Sequence, residues 1–310
     1  MRRTASALLA GILLLCFCTH EAAARVIEYL SETDEKPALF SGTLPEDWLY
    51  SPMEVHFINV GSADSILIRS GEWTMLVDSG LAARYERIVE YLRSIGVDHL
   101  DYAFGSHPHD DHIGGFPGIF DEIPVGIYLE PGFFEDVRDE YTAALHASLL
   151  KHQIPRETIK SGEERTFSGV SLSFFQWEKP SAFINNRSMA VRLECGDRSV
   201  LLAADLESHG QKALASAYGA RLKSDILKFP HHGLAGFAFA FYRAVQPELV
   251  TISNIEDRTG RLRNDLKRKG IPWMLTTQGT IIAYTDGGIW KIWQLEKNVR
   301  SYPSGRGIIN

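Results

Sequence analysis

Hydrophobic and polar positions change periodicity several times between residues 53 and 295. Short apolar or alternating runs, which predict β-strands, are bounded there by glycine, proline and polar turn residues. In the first half of this segment the runs cover 54–60, 65–69, 73–77, 100–105 and 125–129. In the second half they cover 170–177, 189–195, 199–203, 226–229 and 249–252, and a hairpin is predicted over 280–293 with its turn at Asp286-Gly287-Gly288.

Segments with helical periodicity lie between these predicted strands. Tyr85, Ile88, Leu92 and Ile95 recur at helical spacing, and Gly96 follows them as a stop signal. Further helices are predicted near 135–152, 207–218, 237–245 and 261–269. Antiparallel-looking strand groups interrupted by helices, in two similar halves, predict an α/β (α+β) protein with two mixed sheets packed together and helices outside. No linker interrupts 53–295, so we expect one domain there.

The two ends of the chain differ from this central segment. Residues 1–24 combine a positive start, a short apolar stretch and the small residues Ala22-Ala23-Ala24, which is typical of a secretory signal peptide. Residues 25–52 are interpreted as an N-terminal extension with an edge strand over 25–30, and 296–310 as a C-terminal tail. We therefore expect an exported protein without a stable membrane span, either periplasmic or extracellular. The oligomeric state is left open.

Charge and cysteine content bear on nucleic-acid binding and on disulfide formation. The formal net charge is −7, and removal of residues 1–24 makes it −8 because two arginines and one glutamate leave. This balance argues against a broad nonspecific nucleic-acid surface, although a local basic groove is compatible with it. Only Cys195 lies outside the predicted signal peptide, so the mature chain forms no intramolecular disulfide. Its alternating strand favours a packed thiol over a soft metal ligand.

One short run contains five side chains that can bind metal ions or carry protons. It reads His107-Pro108-His109-Asp110-Asp111-His112 and is followed by Ile113-Gly114-Gly115. Three imidazoles and two carboxylates would repel one another in a core, whereas together they suit a divalent cation. The alternative is a histidine-rich surface loop. The preceding 100–105 segment reads as a strand, so the run lies at a strand end, where a loop can bring side chains to one point.

Four predicted strands end in such polar groups. They are followed by Asp78, by the 107–112 run, by Asp205 and by His231-His232-Gly233. An acidic residue at the end of an apolar strand is costly unless it is paired or bound to a ligand. A single case would indicate a cap or an ion pair, whereas four cases with this chemistry indicate a common site.

An ordered set of motifs resembles the metallo-β-lactamase superfamily. The set is Val77-Asp78-Ser79-Gly80, the 107–115 segment, Leu202-Ala203-Ala204-Asp205 and Pro230-His231-His232-Gly233. The chain is more closely similar to the ComEC-type branch, named for competence proteins, through the 59–64 segment and through Asn186-Arg187-Ser188 before a strand. The resemblance covers most of 53–295 and implies an αββα sandwich with a metallo-β-lactamase-like site.

The resemblance implies a role for individual residues. His107 and His109 would bind one metal ion, Asp111 and His112 a second, and Asp205 would bridge them. One histidine of the 231–232 pair would complete the second site. Because neighbours on an extended backbone point to opposite sides, we favour His232 as the ligand and His231 as a phosphate-facing donor or acid. The other expected roles are support of the ligands by Asp78, Asp64 and Ser188, substrate contact by Arg187, and catalysis by His231, Asn186 and Asp111.

The chain also departs from these relatives. Many superfamily members place a further histidine on the first metal, whereas residues 185–188 stand in that region here, as in the ComEC-type branch. The first metal would then be bound more weakly or be completed by water or substrate. Partial occupancy is expected for the second site. Four single differences bear on the substrate more than on the metal site: Asn59, Ala63, Ala204 and Leu234 stand where the branch has Asp, Gly, Gly and Ser.

These features predict an exported metal-dependent hydrolase, foremost a phosphodiesterase. The expected cofactors are two divalent ions, Zn or Mn, with Fe as a further possibility, because all implied ligands are nitrogen or oxygen. The expected substrate is extracellular nucleic acid or a phosphodiester of the cell envelope, such as a phosphorylcholine-bearing polymer. Two alternatives stay open: hydrolysis of a lactone, thioester or β-lactam bond at the same site, and a metal-stabilised envelope-binding module without turnover.

Overall fold

A computed structural model describes residues 26–31, 33–34, 52–178, 181 and 183–295. The predicted signal peptide, most of the N-terminal extension and the predicted C-terminal tail lie outside these described residues. Within them, two mixed sheets pack face to face and helices cover both outer surfaces. This arrangement confirms the predicted fold class. None of the described helices is long and apolar enough to cross a bilayer.

The first sheet contains nine strands within the described part of the chain. Its centre is antiparallel, and its second half, from the fourth to the seventh strand of the chain, is parallel. The predicted edge strand near the N-terminus pairs with the last strand, and the predicted terminal hairpin forms. In spatial order the strands are β1 (Ile27–Tyr29), β16 (Trp290–Gln294), β15 (Ile281–Thr285), β2 (Met53–Phe57), β3 (Ile66–Ser70), β4 (Trp73–Val77), β5 (Leu100–Phe104), β6 (Val125–Pro131) and β7 (Arg156–Ile159).

The second sheet contains seven strands among the described residues, and four of them run parallel. In spatial order they are β14 (Trp273–Leu275), β13 (Leu249–Ile252), β12 (Ile226–Lys228), β11 (Arg198–Leu202), β10 (Ala190–Cys195), β9 (Val170–Phe175) and β8 (Glu164–Phe167). The strands β7, β8 and β14 were not recognised in the sequence. They are short; β7 buries only its last residue, Ile159, and β8 alternates between exposed and half-buried positions, so neither has an apolar run.

Three hydrophobic layers hold the sandwich together. Alternate residues of β2 show the principle: Met53, Val55 and Phe57 face the core between the sheets, where Cys195 also packs as a buried free thiol. A second layer joins the first sheet to α1 (Tyr85–Ser94), α3 (Phe116–Glu122) and α4 (Glu140–Lys151). A third joins the second sheet to α5 (Ser208–Tyr218), α6 (Phe239–Val245) and α7 (Gly260–Lys269).

Three helical segments differ from the sequence prediction, one of them α3, for which no helix was predicted. The helix predicted from residue 135 begins at Glu140, because Asp139 caps it by accepting a hydrogen bond from the Thr142 amide at 2.7 Å. The segment before it, Gly132–Asp136, forms a 3-10 turn. The His-rich run contains a short helix, α2 (Asp110–Ile113), directly after β5. The change from strand to helix within this run allows His107, His109 and His112, which are two to five positions apart, to approach the same region.

The parallel strands place their carboxyl ends at one edge of the sandwich. Loops after β4 and β5 of the first sheet reach this edge, and so do loops after β11, β12 and β13 of the second. Ligand-binding loops commonly gather where parallel strands end. The polar groups that the sequence analysis singled out therefore come from both sheets to a single place.

Candidate metal centre

Two groups of potential metal ligands meet at this edge and share one carboxylate. In the first group, His107, His109 and Asp205 each offer one ligand atom, and these atoms lie within 4.8 Å of one another. His107 Nε2 is 3.2 Å from His109 Nδ1 and 3.8 Å from Asp205 Oδ2. The side chains of His107 and Asp205 are buried, whereas that of His109 is half-buried, so the first group opens toward solvent through His109.

The second group surrounds the other oxygen of Asp205. His112 Nε2 lies 3.1 Å and His232 Nε2 lies 3.5 Å from Asp205 Oδ1, and the two ring nitrogens are 3.3 Å apart. Asp111 Oδ2 is 3.0 Å from His232 Nε2, and Asp111 Oδ1 is 3.9 Å from His112 Nε2. Four side chains from three loops thus converge on a volume the size of one ion.

The Nδ1 atoms of the two histidines in this second group point away from that volume. His112 Nδ1 lies 2.7 Å from Asp78 Oδ2, and His232 Nδ1 lies 3.1 Å from Ser253 Oγ and 3.3 Å from Asp64 Oδ1. Asp64 could itself contribute a ligand atom, since its carboxylate groups with the same histidines. Because it approaches the Nδ1 side of both rings, we interpret it as a support that orients them.

The donor set fits a divalent cation. With Nδ1–H of His112 donated to Asp78 and Nδ1–H of His232 donated to Asp64, both Nε2 atoms carry lone pairs. These lone pairs face each other and the oxygens of Asp111 and Asp205, and the buried Asp205 Oδ1 has no well-aligned hydrogen-bond donor among the described residues. Such a concentration of electron pairs requires either a cation or extra protons.

The raised pKa values of His112 and His232 show that the nearby carboxylates favour a positive charge at this site. Burial alone would lower the pKa of His112, but the carboxylates of Asp205 and Asp78 outweigh it and raise that pKa well above its ordinary value. For His232 the Asp205 and Asp64 charges likewise outweigh burial and raise the pKa to about 9. In the first group, burial and the charge of His112 hold the pKa of His107 well below its ordinary value, so its imidazole is neutral and available as a ligand.

Left-handed backbone conformations shape the loops of the site. His231 and His232 have φ angles of 51° and 50°, so the extended backbone assumed in the sequence analysis is wrong. The two rings nevertheless face different surroundings, because His232 is buried in the second group whereas the side chain of His231 is 26% exposed. Asp78 and Ala204, beside the other ligands, also have positive φ angles, of 59° and 44°. Such positions are costly for residues other than glycine and concentrate at functional sites.

His231 stands at the open side of the centre. Its Nε2 atom is 3.8 Å from Asp205 Oδ2, the oxygen that faces the first group, and its Nδ1 atom is 3.9 Å from Glu207 Oε1. The same Glu207 oxygen accepts a hydrogen bond from the Asn185 amide at 3.4 Å. His231 can therefore reach a molecule bound at the first group without leaving its position.

Three further candidates from the sequence have mainly structural contacts. The side-chain oxygen of the buried Asn186 accepts a hydrogen bond from the Gly210 amide of α5 at 2.8 Å. Ser188 is buried, and its hydroxyl has no hydrogen-bond partner among the described residues. The Arg187 guanidinium stacks on Phe133 at 4.3 Å from the ring centre and lies 3.6 Å from Asp136. Their predicted roles stay predictions.

Sequence reasoning missed several residues behind the ligands. Lys228 is buried and forms an ion pair with Asp64, and Ser253 donates a hydrogen bond to the same carboxylate. Asn254 donates from its amide to the His232 carbonyl at 3.1 Å. The strand signal over 226–229 was visible, and a lysine inside an otherwise apolar strand next to the motif is the sequence feature that could have indicated a buried counter-charge.

Comparisons with known proteins agree with this geometry. The sequence profile of the metallo-beta-lactamase superfamily matches residues 58–239, more than half of the chain. Competence protein ComA from Neisseria gonorrhoeae is 28% identical over 227 residues, which cover 70% of this chain and 30% of that protein. ComE operon protein 3 from Bacillus subtilis (strain 168) is 26% identical over 226 residues, which cover 66% of this chain and 29% of that protein. The chain spans less than a third of the length of these relatives.

A solved structure extends the comparison to the fold. A mutant of CmlA beta-hydroxylase superposes with a TM-score of 0.50 at 13% sequence identity, covering 76% of this chain and 53% of the other. This likeness concerns the fold alone. The two competence-protein relatives confirm the resemblance to the ComEC-type branch that the motifs predicted. On the matched profile, which includes every ligand loop after β4, β5, β11 and β12, the chain belongs to the metallo-β-lactamase superfamily.

Proposed function

We propose that this protein is an exported metal-dependent phosphodiesterase. The observation that carries the proposal is the placement of Asp205 between two ligand groups. Its Oδ2 atom faces His107 and its Oδ1 atom faces His112 and His232, so each carboxylate oxygen serves one group. A shared carboxylate of this kind is suited to holding two cations close together. Two divalent ions bound there would supply a water of lowered pKa and stabilise charge that develops on a phosphate.

The residues around the ligands orient the histidine rings and contact the substrate. Asp78 holds the His112 ring through Nδ1, and Ser253 with Asp64 holds the His232 ring, so both Nε2 atoms stay directed at the second group. His231 contacts the substrate from the open side, where it donates a hydrogen bond from Nε2 to a phosphate oxygen. Glu207, 3.9 Å from His231 Nδ1, keeps that ring turned toward Asp205.

Two observations favour a phosphodiester over a carboxylic substrate. The first group holds two histidines and one carboxylate, which leaves coordination positions for substrate oxygen atoms. A phosphodiester offers two non-bridging oxygens, one for this open group and one for His231. A lactone, thioester or β-lactam carbonyl offers a single oxygen to the cations, so His231 would be left to act on the leaving group alone.

The proposal is tested with protein stripped of metal and reloaded with Mn²⁺ or Zn²⁺. We expect hydrolysis of bis(p-nitrophenyl) phosphate that requires the added metal and is lost in Asp205→Ala. Asp98→Ala is the matched control, because its side chain is 93% exposed and lies outside both ligand groups. Turnover of a β-lactam or thioester panel without turnover of the diester would select the carboxylic alternative. Metal binding without any turnover would select the binding module.

Export is the second part of the proposal and rests on residues 1–24. If they act as a signal peptide, the mature protein recovered outside the cytoplasm begins near Arg25. Intact-mass measurement of the protein from periplasmic and culture fractions tests this directly. A full-length mass in the cytoplasmic fraction alone would refute export and leave the hydrolase proposal untouched.

A further inference from the structure

A basic segment of this acidic protein packs beside the loop that carries His232. The whole chain carries a net charge of −7, whereas residues 256–270 contain six basic and three acidic residues and so carry +3. This segment is the turn after β13 together with α7. A charge of opposite sign to the rest of the molecule, confined to one helix, creates a local potential that attracts anions.

The basic side chains of α7 face solvent. Leu262 and Leu266 are buried against the second sheet, which turns the opposite side of the helix outward. Arg261, Lys267 and Arg268 occupy that outward side and are exposed, and Arg258 is exposed in the turn before the helix. Arg261 and Arg268 are separated by about 10 Å along the helix axis at 1.5 Å per residue.

Three of the six basic side chains in this segment have an acidic partner, and three do not. Arg263 is paired with Glu256 at 2.7 Å, and Asp265 lies 3.3 Å from Arg268 and 3.4 Å from Lys269. Arg258, Arg261 and Lys267 have no acidic partner within ion-pair distance among the described residues. The three cations without an acidic partner are therefore available to bind phosphate groups.

Direct contacts connect α7 to the ligand loop. Gly233, which follows His232, packs so closely against Thr259 and Leu262 that a Cβ atom there would lie 3.1 Å from each of their side chains. Asn254, in the turn that leads to α7, donates its hydrogen bond to the His232 carbonyl. Leu234 and Ile255 are exposed on these two turns, at 50% and 44%. The start of α7 therefore packs against the loop that carries His232, and the exposed basic side chains lie on the solvent-facing side of the same helix.

We propose that the α7 basic surface, defined by Arg258, Arg261, Lys267 and Arg268, binds the continuation of a linear phosphodiester chain whose cleaved bond lies at the metal centre. The inference rests on the proposed phosphodiesterase function and narrows its substrate from small diesters to polyanionic polymers. Each cation that neutralises a phosphate releases a condensed counterion, so affinity for such a chain depends strongly on salt.

The test compares three variants of the full chain. The first replaces Arg258, Arg261 and Lys267 with glutamine, which keeps helix propensity. The matched control replaces the exposed Lys160, Lys212 and Lys223 with glutamine, removing the same charge elsewhere. The third exchanges the three α7 cations conservatively as Arg258→Lys, Arg261→Lys and Lys267→Arg. Binding of a fluorescein-labelled oligothymidylate to metal-stripped protein is measured by anisotropy between about 50 and 200 mM NaCl.

We expect the α7 glutamine variant to lose about tenfold or more in oligothymidylate affinity, with a log–log salt slope smaller by about 2, since each contact contributes about 0.7 for a single strand. The control and conservative variants should bind as the unaltered protein does, and hydrolysis of the small diester should be unchanged in all. Equal losses in the α7 variant and the control would overturn the proposal, as would undiminished binding. Binding to phosphatidylglycerol vesicles is measured in parallel, and a loss of vesicle binding without a loss of oligothymidylate binding would also overturn the proposal. Because binding is measured without turnover, failure of the phosphodiesterase proposal is seen separately in the small-diester assay.

Discussion

Lys228 and Asp64 form an ion pair buried directly behind the second ligand group. The exposed fractions of the two residues are 2% and 1%. Burial alone would raise the pKa of Asp64, but the charges of Lys228 and His232 outweigh it and lower the pKa. The Lys228 ammonium also lies 3.4 Å from the Ala204 carbonyl, next to the shared Asp205. One lysine thus supports a carboxylate behind His232 and the backbone that presents the bridging acid.

Removal of this lysine charge should destabilise the protein strongly. Lys228→Met keeps the length of the side chain but leaves the Asp64 carboxylate buried without its counter-charge. Breaking one partner of a buried pair typically costs about 3–5 kcal/mol, and we expect a loss of that size in the free energy of unfolding, measured by urea denaturation of the metal-free protein.

Two comparisons isolate the cause. Lys223→Met removes a lysine that is exposed and should change the free energy of unfolding by less than about 0.5 kcal/mol. Lys228→Met combined with Asp64→Asn removes both charges and should recover part of the loss. A loss below about 1 kcal/mol in Lys228→Met would show that the pair adds little.

The ligand segments were predictable because their signals are local. Asp78, the 107–112 run, Asp205 and the 231–233 segment each follow an apolar strand within a few residues, so each can be recognised by periodicity and residue chemistry. The sandwich follows from the alternation of strand groups and helices. The structure then brings these four segments together at the ends of parallel strands, as the shared strand direction requires.

The supporting residues could not be found in this way. Asp64 and Lys228 are 164 positions apart, and no local pattern links a turn residue to a lysine in a distant strand. The backbone conformation of His231 and His232 could not be predicted either, because residues other than glycine rarely adopt the left-handed φ angles found there. Tertiary contacts impose both the buried ion pair and the left-handed φ angles. A single sequence contains no local pattern that predicts either of these features.

The hydrogen bond between Asp78 and His112 should control metal affinity. Asp78 Oδ2 accepts from His112 Nδ1 at 2.7 Å, and the same carboxylate accepts from the Ser106 amide and hydroxyl at 2.8 Å each. In Asp78→Asn the NH₂ group of the new side chain can face His112 Nδ1 and donate to it. This favours the His112 tautomer that carries its proton on Nε2, and a protonated Nε2 cannot bind metal. We expect Zn²⁺ affinity to fall about 10–100-fold, measured by competition with a chromogenic chelator. Asp98→Asn should bind Zn²⁺ normally, and equal affinities for both variants would contradict the role assigned to Asp78.

Protonation of the metal-free site should give it a distinct pH dependence. The pKa of His232 is raised from 6.5 to about 9, chiefly by Asp205 and Asp64 against the opposing effect of burial. Because the folded pKa lies above the unfolded one, this stabilisation is complete below about pH 6.5 and is lost as the pH rises through 9. A bound cation replaces the proton, so the increase in melting temperature caused by Zn²⁺ should grow from pH 6.5 to pH 9.

Thermal denaturation of stripped and Zn²⁺-loaded protein across this range measures the effect. His99→Gln is the control, because its side chain is 55% exposed and outside the ligand groups, and it should leave the pH profile unchanged. Parallel profiles for stripped and loaded protein would show that no proton is displaced by the metal.

The close contact of Gly233 with α7 leads to a last prediction. Gly233 has a φ angle of +80°, and a Cβ atom there would lie 2.9 Å from Ile252 Cγ2 and 3.1 Å from Leu262 Cδ2. Gly233→Ala therefore combines a left-handed penalty of about 1–2 kcal/mol with overpacking of about 1–3 kcal/mol. Gly270, with a φ angle of +68° and nothing within 4 Å of its added Cβ, is the matched control. Gly270→Ala should show the conformational penalty alone. Urea denaturation of both variants should therefore place Gly233→Ala below Gly270→Ala by the overpacking energy, and equal stabilities would mean that the ligand loop can move away from α7 at no cost.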